Sequence, residues 1–413
     1  MTNSYKFYLL VAVMVAGMSA RAESEFDRWL HLVAEHNSGY IAEKYNIDMA
    51  IANKQAAKVF NDPEISFDYG NNQDWNLRMG QTYEVGLSYT ISTGNERGAR
   101  IKVAESELAM TEAAVADYLC QLKYEATEAY ATAWIAWKRF LVAEQSYRTM
   151  QRIADADSIR LSIGDIEAAE ALRSHIEAQT LRGEWMLAKA EYTNALSRLR
   201  TFTGGIGIEQ PANLLNTDEA PLPTSEEVLL EEALHNRSDL RTAWLQQRLS
   251  EANLRLAKAS MAPSLTLNAG YVHSREVRNE LAPAPLFNGF SVGVSMPIPF
   301  SAANKAGRKA AEHEIAQSEA YYQAAEEQLR ADVEQAYNNC IARKAILETY
   351  SARLLSELDR VLQGHIQGYE AGESELLELL EAQDTYNEQM KVYYEYVGEA
   401  FIAEAALRRA VGR

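Results

Sequence analysis

Tyr83-Glu-Val-Gly-Leu-Ser-Tyr-Thr-Ile91 returns about 200 residues later as Phe290-Ser-Val-Gly-Val-Ser-Met-Pro-Ile298. In both runs bulky apolar residues alternate with small or polar ones, the period of a β-strand with one apolar face. A shorter run of the same kind precedes each. Ile65, Phe67 and Tyr69 alternate with Ser66, Asp68 and Gly70, and Leu265, Leu267, Ala269 and Tyr271 alternate with Thr266, Asn268 and Gly270. Outward from the strands the correspondence continues. His36-Asn37, a helical stretch and Asn61-Asp-Pro63 recur as His235-Asn236, a helical stretch and Met261-Ala-Pro263. Gly164-Asp165 recurs as Gly372-Glu373, and Arg200-Thr-Phe-Thr-Gly204 as Arg408-Arg-Ala-Val-Gly412. Such repetition fixes the architecture before any single motif does. Each copy reads helix, strand, strand, very long helix, helix.

Proline placement divides the chain. All nine prolines lie at Pro63, between Pro211 and Pro223, or between Pro263 and Pro299. The stretches between are rich in good helix formers and contain nothing that breaks a helix. The division predicts a first repeat over 23–202, with strands at 64–72 and 82–93 and a helical hairpin over 96–202. A Gly- and Pro-containing connector follows at 203–224. The second repeat spans 225–413, with strands at 264–274 and 289–299 and a hairpin over 303–411. The first long helix should run from about Asn95-Glu96 to Ser162, roughly 100 Å at the helical rise. Leu119, Leu122, Ala126, Ala129, Ala133, Ala136 and Phe140 form its coiled-coil seam. In the second copy Leu329, Val333, Ala336 and Cys340 lie on the helical face. A single outgoing helix should run from about Asn304 to His365, with the turn at Gly368-Tyr-Glu-Ala-Gly372.

Residues 1–22, with Lys6, an apolar run from Phe7 to Met18 and Ala20-Arg-Ala22, read as a secretory signal. The formal charge of −18 excludes a nucleic-acid partner. No later apolar stretch is long enough for a membrane-spanning helix, so insertion in a bilayer has to use strands. The alternating runs fit strands that face lipid on one side and water on the other. They also fit a sheet covered on one face by helices, and alternation alone does not separate the two. Four strands cannot close a barrel around a lumen, so the membrane reading requires several chains to share one; three would supply 12 strands.

Catalytic chemistry is not written in this chain. A nucleophile elbow, a phosphate loop and a zinc-binding HExxH are all missing. No two of the seven histidines stand at helical ligand spacing, so neither a metal site nor a cofactor is expected. Cys120 and Cys340 each fit the apolar face of a helix. The notable cluster is acidic. Glu370, Glu373, Glu375, Glu378 and Glu381 surround the second hairpin turn, the last three climbing one side of the returning helix. Asp165, Glu167 and Glu170 are the first turn's weaker counterpart, with Arg173 where Glu381 would correspond. A solvated face and a ring of charge selecting cations in a multi-chain pore both remain open.

The duplicated pattern resembles the TolC family of outer-membrane efflux proteins over almost the whole mature chain. Three stretches are the most specific: Gly368-Tyr-Glu-Ala-Gly-Glu-Ser-Glu-Leu-Leu-Glu-Leu-Leu-Glu-Ala-Gln383, the ending Ala406-Leu-Arg-Arg-Ala-Val-Gly412, and Arg237-Ser-Asp-Leu240 leading to Ala262-Pro-Ser-Leu265. The resemblance implies a mainly α fold with a small β part. The expected assembly is a homotrimer whose 12-stranded barrel in the outer membrane of a Gram-negative bacterium continues as a long periplasmic α-helical barrel. It implies a passive duct, not an enzyme, working with a periplasmic adaptor and a proton-driven RND-type pump of the inner membrane. By position, Glu378 and Glu381 match carboxylates lining the family's periplasmic aperture; Glu373 in the same turn, and Asp165 and Glu170 at the corresponding first turn, are the further aperture candidates. Tyr369 matches a turn tyrosine that helps hold the tip closed. The family's arginine in this region is Ser374 here. Pro297-Ile-Pro-Phe300 with Asn304 and Gly307, and Thr93-Gly-Asn-Glu-Arg-Gly-Ala-Arg100, are similar to the heavy-metal, CzcC-like branch. Metal cations are therefore the expected cargo. Drug efflux or type I protein secretion is the alternative, and a soluble periplasmic scaffold is the reading that dispenses with the membrane.

Overall fold

The computed structural model describes residues 25–72, 80–208, 210, 211, 214, 225–278, 280–298, 303–350 and 352–413. The signal expected over 1–22, and most of the connector expected over 203–224, lie outside these residues. The elements are α1 (Glu25–His36), α2 (Ser38–Ala57), β1 (Glu64–Asn71), β2 (Gln81–Ile91), α3 (Glu96–Ser162), α4 (Ala168–Phe202), α5 (Glu226–Asn236), α6 (Ser238–Ala259), β3 (Leu265–Ser274), β4 (Phe287–Ser295), α7 (Ala303–Thr349), α8 (Ala352–Ala371) and α9 (Leu376–Val411). No helix among the described residues is long and apolar enough to cross a membrane.

The chain falls into two compact units that do not follow the repeats, because each repeat contributes to both. Of the described residues, one unit takes those within 44–116 and 238–328; the other takes those within 25–43, 117–237 and 329–413.

The first unit holds the sheet. Its strands are antiparallel in the order β1-β2-β3-β4, and β2 pairing with β3 joins the two repeats. Ile65 stands opposite Leu87, Val85 opposite Tyr271, and Tyr271 opposite Phe290, so one face of all four strands is apolar. The other face carries Ser66 against Gly86 and Gly270 against Ser291. The apolar face is bare. Phe67, Phe290 and Val292 are 67%, 87% and 89% exposed. The alternative in which helices cover that face is thereby overturned. Among the described residues neither β1 nor β4 has a strand on its outer edge. A free edge beside bare apolar surface is a strong drive toward association.

Three local expectations are corrected. The helix before the strands is two helices in each repeat, broken at Asn37 and Arg237. The Asn37 side chain accepts from the Tyr40 amide and so caps α2, while Arg237 adopts extended backbone. Strand β4 stops at Ser295 rather than 299, since Pro297 has no amide to give a ladder. The second outgoing helix, expected to be continuous, ends at Thr349 and resumes at Ala352. Beside that break the Tyr350 ring packs against Tyr393 and Tyr396.

In the second unit the seam of α3 is buried at Leu122, Ala126, Ala129, Ala133 and Ala136. Leu119 and Phe140, at its two ends, are only half-buried. Trp134 and Tyr130 fill an adjacent core with Phe26, Trp29 and Val397. A second core gathers Met150, Ile153, Leu181, Leu362, Leu376 and Leu379 from α3, α4, α8 and α9. Between the two, Gln383 Nε2 donates to Ser146 Oγ and Asn387 Oδ1 at 3.0 Å each, and Ser146 Oγ donates to Asn387 at 2.6 Å. All three residues are buried. A satisfied polar cluster inside an apolar seam fixes the register of α3 against α9.

Candidate functional site at the hairpin tips

Both hairpin turns use one backbone solution. Gly164 and Gly372 have φ of 79° and 76°, the left-handed region in which glycine costs nothing. The next amide reaches back to the fifth carbonyl, Asp165 to Arg160 at 2.9 Å and Glu373 to Gly368 at 2.7 Å. This 6→1 bond closes a helix C-terminus. Glu167 and Glu375, in extended backbone, then start α4 and α9. The second turn is therefore Gly372-Glu-Ser-Glu375. The expected turn from Gly368 is instead the last helical turn of α8, because only Gly372 takes the left-handed conformation.

That extra turn of helix places Tyr369 in the core, 3% exposed. Its hydroxyl donates to Asp157 Oδ2 at 2.8 Å, and Glu170 Oε1 lies 3.3 Å away as a second, longer acceptor. Asp157 is itself 1% exposed. Arg160 completes the group. Its Nε donates to Asp165 Oδ2 at 2.8 Å, its Nη1 lies 3.7 Å from Asp157 Oδ1, and its guanidinium lies 5.7 Å from the Tyr369 ring centre. Nearby, Arg152 pairs with Glu370 at 3.2 Å. Burial, then the Asp157 bond and charge, push the Tyr369 phenol well above its ordinary range. The hydroxyl therefore keeps its proton wherever the carboxylates are charged. The bond to Asp165 holds the Arg160 guanidinium more firmly protonated than usual.

The expected site residues thus separate. Tyr369, Glu170 and Asp165 come together in one buried-to-exposed cluster. Glu373, Glu378 and Glu381 do not join it. Glu373 is exposed in the turn, Glu378 and Glu381 are exposed on the opposite side of α9 from Leu376, Leu379 and Gln383, and none of the three makes an ion pair among the described residues. Asp157 and Arg160 were not anticipated. Asp157 carried a signal, because it continues the spacing of Met150, Ile153 and Ala154, where an acid interrupts an apolar seam. Farther along the hairpins, burial and then Asp384 raise the Glu177 carboxyl, and burial and then Glu184 raise that of Asp384. No group of metal-ligating side chains occurs among the described residues, and both cysteines are free.

Comparison with known proteins places this geometry. The family described as outer membrane efflux protein matches residues 30–205 and 229–413. The cobalt-zinc-cadmium resistance protein CzcC of Cupriavidus metallidurans is 22% identical over 93% of this chain and 89% of its own length. Outer membrane protein TolC of Vibrio cholerae is 23% identical over 76% of this chain and 71% of its own. Among solved structures, the CmeC outer membrane channel of Campylobacter jejuni superposes with a TM-score of 0.76. It is 13% identical and covers 94% of this chain and 85% of that one.

Proposed function

The chain belongs to the outer membrane efflux protein family, and from that premise we propose that it is the exit duct of a tripartite system expelling heavy-metal cations. Family membership makes it a transport component of the outer membrane rather than an enzyme. The observation that carries the duct reading is the four-stranded sheet, apolar and bare on one face, small and polar on the other, with both edges open. Three copies joining β1 to β4 close a 12-stranded barrel with the polar face inward. The helices continue the bore toward a periplasmic adaptor and a proton-driven inner-membrane pump, which supplies the energy. The hydrogen bond from Tyr369 to Asp157, made between the two hairpins, is the contact that holds the tip narrow. The exposed Glu373, Glu378 and Glu381 then ring the aperture with negative charge suited to cations.

Metal cargo rests on the resemblance to CzcC. The match to TolC of Vibrio cholerae keeps drug or protein export as the second reading. The experiment is a deletion strain complemented with the wild-type gene and challenged separately with cobalt, zinc and cadmium salts and with organic toxicants. Restored metal resistance alone supports the first reading. Restored resistance to organic compounds alone moves the assignment to the second.

A further inference from the structure

We propose that a basic collar where the strands meet the helices binds the anionic headgroups of phospholipids at the periplasmic face of the outer membrane. The proposal builds on the membrane reading above. Glu64, Ile91, Leu265 and Ser295 end their strands at the same edge of the sheet, with Ile91 opposite Leu265 and Ser295 opposite Thr266, and every adjoining helix begins or ends beyond that edge. The four segments on that side, 53–64, 96–105, 254–263 and 303–312, carry ten cations against five acids, Asp62, Glu64, Glu96, Glu105 and Glu312. In a chain of net charge −18 that concentration is not background.

Some of these charges are answered within the chain. Lys54 and Lys102 reach Glu105, and Arg308 reaches Glu312. Lys58, Arg97, Arg100, Lys258, Lys305 and Lys309 have no ion pair among the described residues, and all four lysines are exposed.

The apolar neighbours say what the collar faces. Val59 and Phe60, just before β1, are 57% and 65% exposed. The Arg97 guanidinium stacks 4.1 Å from the Phe60 ring centre while its Nε donates to the Lys58 carbonyl at 2.7 Å. Arg100 donates to the Val59 carbonyl. Met296 and Ile298, past β4, are also exposed. An apolar band continuous with the lipid-facing side of the sheet, bordered by cations on flexible stems, is the pattern of a membrane–water boundary. The cations are spread over several elements rather than converging on one point, which fits a surface of phosphodiesters better than a single bound ion.

The mature chain is reconstituted in nanodiscs of phosphatidylethanolamine with a minor share of phosphatidylglycerol, and the lipids retained after detergent extraction are counted. Phosphatidylglycerol should be enriched around the wild type, and the enrichment should fall as salt is raised. Lys58→Gln with Lys258→Gln and Lys309→Gln should reduce it by about fivefold per lysine. A control with Arg182→Gln, Arg198→Gln and Arg241→Gln, exposed cations away from the collar, should retain it. Enrichment that survives the collar substitutions, or is lost equally in the control, overturns the proposal. So does wild-type enrichment abolished by inorganic phosphate at constant ionic strength, which marks a free-anion site. Unchanged lipid preference with altered ion selectivity would place these cations in the bore. Absence of the protein from the outer-membrane fraction would strike the membrane reading itself.

Discussion

The first hairpin turns through Arg160-Leu-Ser-Ile-Gly-Asp-Ile-Glu167 and the second through Gly368-Tyr-Glu-Ala-Gly-Glu-Ser-Glu375. The backbones share a left-handed glycine and the two bonds that close the helix, yet the side chains have parted. Leu161, 39% exposed, stands where the second copy buries Tyr369. Arg160 corresponds to Gly368, and Asp157 to His365. Glu170 lies within reach of the tyrosine, while its counterpart Glu378 faces solvent without an ion pair among the described residues. Duplication therefore supplied two equal frames, and divergence put a donor on one and its acceptor on the other. The contact between hairpins depends on the positions at which the repeats disagree.

Substitutions at paired positions test that asymmetry. Asp157→Ala removes the nearer acceptor of the buried Tyr369 hydroxyl and the negative charge beside the Arg160 guanidinium. It should destabilise the tip by about 1–3 kcal/mol and raise conductance in planar bilayers, whereas His365→Ala should do neither. Equal effects at the two positions would erase the distinction. Tyr369→Phe keeps the ring and removes the donor, so a smaller rise of the same sign is expected, alongside a thermal midpoint lowered by a few degrees. Gly164→Ala and Gly372→Ala should cost similar amounts, about 1–2 kcal/mol each, because the strained backbone is common to both turns. A large inequality there would mean that the frames differ after all. Glu378→Gln with Glu381→Gln should lower cation preference with little change in stability, and Glu170→Gln should do the reverse.

The smallest effect concerns pH. The carboxyls of Glu177 and Asp384 are raised in the folded protein, so their protonated forms favour folding. Their contribution is greatest below the ordinary carboxylate range and is lost as pH rises through the raised values. Glu177→Gln should therefore stabilise slightly at neutral pH, and the gain should vanish in acid. Thermal melts at pH 4 and pH 7 read this directly.

The strands were legible because alternation with one apolar face leaves little else to be, and the long helices because proline is absent from them. The strand ends were less so. β2 was expected to reach residue 93, but Thr93 turns its hydroxyl to the Pro263 carbonyl and Gly94 leaves the extended region. The break near Tyr350 had no glycine or proline to announce it. At the tips, acid content drew attention to the exposed glutamates. The bond that joins the hairpins pairs the expected Tyr369 with one buried acid, Asp157, flanked by Arg160, both ordinary in composition and distinctive only in three dimensions.

The open margins of the sheet carry a last consequence, for the order of events in biogenesis. In the three-chain barrel proposed above, the helical cores can form within one polypeptide, but the outermost ladders cannot close until another copy arrives. Maturation then contains a step of higher kinetic order, and its half-time should shorten as subunit concentration rises. Until that meeting, each newly exported molecule presents sticky strands to the periplasm, and needs either a holding chaperone or prompt company.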